Sequence, residues 1–147
     1  MKMLRFNALI PELSVSNIEK SLDFYLNTLS FKLEYERKED KFAFLSLEES
    51  QIMIEERNGH WETGDLIYPY GRGINLQIAT NNIDELYRNI EQNNYPIKIK
   101  IQENWYRAGN KLVGHKEFLV LDPDGYLLRF AQGIGEKEDP AEKYNKK

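Results

Sequence analysis

The sequence predicts a mixed α+β fold: a βαβββ unit used twice, giving sheets whose helix-side faces bury the helices. Three observations predict it. The first is a repeated helix start, since Ser16-Asn17-Ile18-Glu19 and Asn81-Asn82-Ile83-Asp84 share one polar, polar, apolar, acidic order 65 positions apart. The second is the run His115 to Ala131, two apolar strands around Asp122-Pro123-Asp124-Gly125. Pro123 presets φ for the second turn position, Asp122 can accept from amides ahead of it, and Gly125 takes the position where a side chain would be strained. The third is Pro96 to Gln102, where Ile97, Ile99 and Ile101 alternate with Lys98 and Lys100 as in a half-buried strand.

Taken in order, Arg5 to Val15 reads as a strand with Leu9, Leu13 and Val15 on the helix side and Ile10, Glu12 and Ser14 on the other. Ser16 and Glu19 have capping-box spacing, so a helix starts there with Ile18, Leu22, Tyr25, Leu26 and Leu29 inward. Three strands follow, Lys32 to Arg37, Phe42 to Leu47 and Gln51 to Glu56, separated by charged turns. Asn58 to Gly73 has no periodicity and five Gly or Pro residues, which marks a linker or a loop over a site. Its aromatics, Trp61, Tyr68 and Tyr70, read singly as loop anchors. The order then repeats: a strand from Ile74 to Thr80, a helix with Ile83, Leu86, Tyr87 and Ile90 inward, the Pro96 strand, and the hairpin. These divisions give one domain over residues 1–132, from modules at about 4–58 and 72–132, and a charged tail over 133–147 that is expected to fray.

A chain of 147 residues can bury a core without staples, and it has no Cys for disulfides, thiolate metal sites or a thiol nucleophile. The first residues lack a signal peptide's apolar run and no segment approaches a membrane span, so a cytoplasmic protein is expected. A net charge of −4 argues against nucleic acid as partner and suits a cationic or neutral ligand. A calcium reading of Asp122 and Asp124 fails for want of further acidic positions and a closing Glu.

Strand parity puts Ile52, Ile54, Ile74, Leu76, Ile78, Leu128 and Phe130 on the helix side and Ile10, Glu12, Met53, Glu55, Asn75, Gln77, Leu127 and Arg129 on the faces away from the helices. Apolar walls with a few polar groups suit a ligand cleft. An ordinary solvated sheet face fits the same pattern, and parity leaves both readings open.

The segments Pro11 to Tyr25, Gly73-Ile74-Asn75-Leu76, Trp105-Tyr106-Arg107 and Phe118 to Phe130 together resemble the vicinal oxygen chelate superfamily, and within it the bleomycin resistance proteins. That resemblance implies the glyoxalase/bleomycin resistance fold from Leu4 to Gln132, two βαβββ modules forming a curved mixed sheet around a ligand cleft. It also implies four metal-ligand positions, which match Ile10, Glu55, Asn75 and Arg129 here. Only Glu55 is a plausible ligand, because Ile10 has no donor atom and Arg129 carries a positive charge able to pair with Glu55. His60 and His115 lie off these positions. No metal, cofactor or catalytic residue is therefore expected, and Gly71-Arg72-Gly73 is too short for a dinucleotide fingerprint. The resemblance implies a non-catalytic, homodimeric antibiotic resistance protein that sequesters a bleomycin-like small molecule. Trp61, Trp105 and Tyr106 would stack on its rings, and Glu12, Glu55, Asn75 and Gln77 would take its donors and cationic parts, with Arg129 beside them. The alternatives are a metal-dependent glyoxalase or dioxygenase-type enzyme of the same superfamily, and an interaction module of a larger assembly.

Overall fold

The structure, a computed structural model, describes residues 3–141. The first half runs β1 (Glu12–Val15), α1 (Ile18–Asp23), a wide π turn (Phe24–Thr28), β2 (Lys32–Arg37), β3 (Phe42–Leu47) and β4 (Ser50–Glu56). The second runs β5 (Asn75–Ala79), α2 (Ile83–Gln92), β6 (Ile99–Ala108), β7 (Lys111–Leu121) and β8 (Leu127–Glu138). Two four-stranded mixed sheets result, ordered β1-β4-β3-β2 and β5-β8-β7-β6. In each, the first strand lies parallel to the last and the rest are antiparallel. The fold is α+β, as the repeated order predicts.

Both sheets bury their helix-side faces in one core. Ala43, Leu45, Ile52 and Ile54 come from the first sheet, and Ile78, Phe118, Val120, Leu128 and Phe130 from the second. Tyr25, Leu29, Ile83 and Ile90 enter it from the helical segments and are fully buried. Each such side chain contributes roughly 1.5–3 kcal/mol of burial. Phe118 and Phe130 stack at 5.3 Å across β7 and β8. No helix among the described residues is long and apolar enough to cross a membrane.

Several local expectations give way to longer-range contacts. Leu9 is 82 % exposed and Ile74 65 % exposed, so neither joins the helix side. β1 starts only at Glu12; ahead of it Asn7 and Gln51 exchange bonds with neighbouring backbone, and Phe6 meets Phe44 edge-on at 5.3 Å. The α1 cap is Asn17, whose side chain accepts from the Lys20 amide, rather than Ser16. At α2 the Asn82 side chain makes no capping bond, and the Ile83 amide donates to Gln132 instead. β8 continues through Gly133 to Glu138, six residues that the sequence assigns to a fraying tail, because they pair with Lys111–His115 of β7. Tyr144 lies outside the described residues.

Ser16 is diverted by the hairpin turn. Its amide and hydroxyl donate to the two carboxylate oxygens of Asp124 at 3.0 and 2.5 Å. Asp122, 2 % exposed, accepts from the Tyr25 hydroxyl at 2.8 Å and from the amides of Asp124 and Tyr126 at 2.9 Å each. Tyr126 completes the tie by donating to the Ser14 carbonyl at 2.9 Å. Gly125 has φ +91°, and a Cβ there would stand 2.5 Å from Pro69, so both backbone and space require glycine. Burial pushes the Asp122 carboxyl up to about 6, against the hydrogen bonds that favour its anion.

The outer parts of β6, β7 and β8 form an arm on which Trp105 covers Gly114, its pairing partner. A Cβ at Gly114 would lie 2.7 Å from two Trp105 ring carbons and 2.8 Å from Ile134, and Lys137 Nζ sits 4.0 Å from a Trp105 ring centroid.

Two outcomes follow from this packing. Folded Asp122 holds its proton more tightly than the unfolded chain does. Its contribution to stability is therefore greatest below about pH 3.8 and declines by roughly 3 kcal/mol as the pH rises to about 6. Urea midpoints measured across that range in wild type and Asp122→Asn should show this decline only in wild type. Gly114→Ala should displace the Trp105 ring and lower stability by about 1–3 kcal/mol, read as a red-shifted emission in a Trp61→Phe background and a lower urea midpoint.

Candidate functional site

The parallel pairing of β1 with β4 sets Glu12 opposite Met53 and Ser14 opposite Glu55. The Glu12 and Glu55 carboxyls come within hydrogen-bonding reach on the face away from the helices. Burial raises the Glu12 pKa, the charge of Glu55 and a hydrogen bond with it raise it further, and Arg37 opposes them. Arg37 places its guanidinium 3.9 Å from the Phe42 ring centroid, and Phe42 is the pairing partner of Glu55. Beyond it, Tyr35 stacks on Phe44 at 5.2 Å. Phe42 and Phe44 are buried although they lie on this face, so the first sheet has an aromatic floor beside its acidic pair.

The loop after β4 closes the space between β1 and β5. A cavity of about 330 Å³ lies there, with Glu12, Trp61, Glu62, Ile74 and Tyr126 among its walls. Trp61 is 59 % exposed and meets His60 edge-on at 4.4 Å. Glu62 accepts the Asn58 amide on Oε1 at 2.9 Å, while its Oε2 is buried with no partner among the described residues. Tyr70, by contrast, is a buried anchor packed edge-on against Tyr126.

The other predicted residues belong to the second sheet. Asn75 and Gln77 are exposed on β5, opposite Leu127 and Arg129 of β8. Tyr106, 41 % exposed, donates its hydroxyl to Glu117 Oε1, and that same oxygen accepts from Asn104 Nδ2 at 2.8 Å. The hydrogen bond to Glu117, then burial and the Glu117 charge, raise the Tyr106 pKa, while Arg129 beside it pulls the other way. Glu117 itself is 2 % exposed.

The structure thus brings Glu12, Glu55 and Trp61 to one end of the first sheet. Tyr106 and Arg129 meet on the second. Trp105 joins neither group, because strand neighbours point to opposite faces and its own face holds Gly114. No ion pair joins Glu55 to Arg129 among the described residues: Glu55 sits with Glu12, and Arg129 with Tyr106. Sequence reasoning passed over Glu117, Asn104, Arg37 and Glu62. A carboxylate at the parity of His115 and Leu119, between the core positions of Phe118 and its neighbours, was the one available signal for Glu117.

The four positions that the resemblance matches to metal ligands carry a residue set that does not suit a divalent ion. Ile10 has no donor and Arg129 is a cation, and among the described residues no three His, Cys, Asp or Glu side chains gather. His60 packs on Trp61, and His115 lies 6.0 Å from the Tyr106 ring.

Comparison with known proteins agrees with this fold. The family model for the Glyoxalase/Bleomycin resistance protein/Dioxygenase superfamily matches residues 5–130. Bleomycin resistance proteins of Geobacillus stearothermophilus and Staphylococcus aureus are each 30% identical over 139 residues, covering 85% of this chain and 96% of the relative. The crystal structure of a glyoxalase/bleomycin resistance protein/dioxygenase from Alicyclobacillus acidocaldarius superimposes with a TM-score of 0.63 at 20% identity, over 88% of this chain and 92% of that one. With two βαβββ halves, one shared core and a matched length of this extent, the chain belongs to the glyoxalase/bleomycin resistance protein/dioxygenase superfamily.

Proposed function

We propose that this protein binds, without turning over, a planar cationic small molecule of the bleomycin type, and sequesters it in the cytoplasm as a homodimer. The observation that carries the reading is the acidic, aromatic-walled end of the first sheet, where Glu12 and Glu55 lie together and Glu12 shares a cavity with Trp61. Two carboxyls held together in partly desolvated surroundings repel when both ionise. A ligand cation relieves that repulsion, and the spare oxygen of Glu62 offers it another acceptor. Trp61 supplies a ring face for a flat ligand, and the exposed amides of Asn75 and Gln77 on β5 supply orienting hydrogen bonds. The names of the 30% identical relatives point to the same ligand class.

Exposed apolar residues support the dimer. Leu9, Ile67 and Ile74 are each more than 60 % exposed, at the chain start and around the site loop, where a second copy would cover them.

Titrating bleomycin while following Trp fluorescence and melting temperature tests the function. Saturable quenching and a Tm rise of several degrees are expected, since a ligand at about 100 times its Kd adds about 2.7 kcal/mol. Glu12→Gln combined with Glu55→Gln should weaken binding at least about tenfold while leaving the fold intact. No change in fluorescence or Tm at several hundred micromolar drug would overturn the reading.

A further inference from the structure

A further cavity, of about 380 Å³, lies where α1, the loop after β4, the chain entering β6 and the Asp122 turn meet. It shares no wall residue with the cavity of Glu12 and Trp61. Its walls are mainly apolar, with Tyr68, Tyr95, Pro96, Ile97 and Pro123 among them. These walls are fixed before any ligand arrives. Tyr95 donates its hydroxyl to the Leu121 carbonyl and packs its ring on Phe24 at 4.5 Å. Arg72 donates to the carbonyls of Tyr68 and Pro69 at 3.0 and 3.3 Å, and the Tyr70 amide donates to the Asp124 carbonyl at 2.8 Å. The loop carrying Tyr68 is thereby tied to the turn, and a ligand need not order it.

Charge selects what the cavity takes. Lys20 and Lys98 belong to its walls, both are exposed, and neither makes an ion pair or a side-chain hydrogen bond with any described residue. Tyr68, 59 % exposed, likewise bonds its hydroxyl to no described residue. Asp122 is the acidic member of the wall, and its oxygens are taken, Oδ1 by the amides of Asp124 and Tyr126 and Oδ2 by the Tyr25 hydroxyl. Two cations against one carboxylate leave net positive charge beside a ring-lined space. A bare anion gains nothing from the apolar walls, and a cation meets two lysines. A flat ring bearing one carboxylate answers both features, because it buries apolar area and accepts charge-assisted hydrogen bonds. We propose that this cavity binds a small aromatic monocarboxylate, its ring against the tyrosine and proline walls and its carboxylate met by Lys20 and Lys98. The site stands independently of the cationic-ligand reading.

Three probes built on one ring system test it: 2-naphthoate, 2-naphthalenemethanol and 2-naphthylmethylammonium, titrated into the ¹⁵N-labelled full chain. The naphthoate should shift the amides of Tyr95, Ile97, Lys98 and Leu121, with an affinity about tenfold above that of the alcohol. Lys20→Met combined with Lys98→Met, at two exposed positions, should remove this advantage while the alcohol binds as before. Tyr68→Ala should weaken naphthoate and alcohol alike, because it removes a wall. The site is refuted if naphthoate shifts none of these amides, if the alcohol or the ammonium probe binds there as tightly, or if the double variant keeps the naphthoate advantage. Failure of bleomycin to bind the wild type counts against the proposed function and not against this cavity.

Discussion

The arrangement depends on the buried Asp122 carboxylate. It accepts one hydrogen bond from Tyr25 of the first half and two from the backbone of its own turn. The same turn presents Asp124 to Ser16 and Tyr126 to the Ser14 carbonyl. Five residues of one turn, Asp122 to Tyr126, thus hold partners about a hundred positions away, which fixes the end of β1 beside the second half. Within the first sheet β1 pairs with β4 and stands Glu12 against Glu55, and the loop carrying Trp61 closes the cavity between β1 and β5.

The two halves keep one topology and diverge on their open faces. In the first, Phe42 and Phe44 are buried beside the acidic pair, so the face is apolar with concentrated negative charge. In the second, Phe118 and Phe130 stack in the core, and the open face carries Tyr106 and Asn104 bonded to Glu117, with Arg129 beside Tyr106. Duplicated backbones therefore offer two chemically different surfaces.

Much of the secondary structure was legible from local chemistry. The Asp122 to Gly125 turn forms with the Gly125 amide donating to the Asp122 carbonyl, because Pro123 and Gly125 admit few other conformations. Strand alternation identified Ile52, Ile54, Ile78, Leu128 and Phe130 as core, since a one-residue slip would bury polar side chains. The helix start at Ser16 misled because a capping serine is a weak local preference, and two hydrogen bonds to Asp124 outweigh it. Leu9 and Ile74 misled because parity counts only within a paired strand, and β1 and β5 begin later.

The sequence by itself determined which residues alternate, where the chain turns, and that the two halves repeat, since sterics and periodicity act over a few residues. It also placed Glu12, Glu55 and Arg129 on the open faces. Only the tertiary structure decided that Glu55 pairs with Glu12 rather than with Arg129, that Trp105 lies back on Gly114, and that Glu117 is buried with one oxygen unmet. Each of those depends on which strands pair and in what register, and no local pattern encodes which side chains will then face one another.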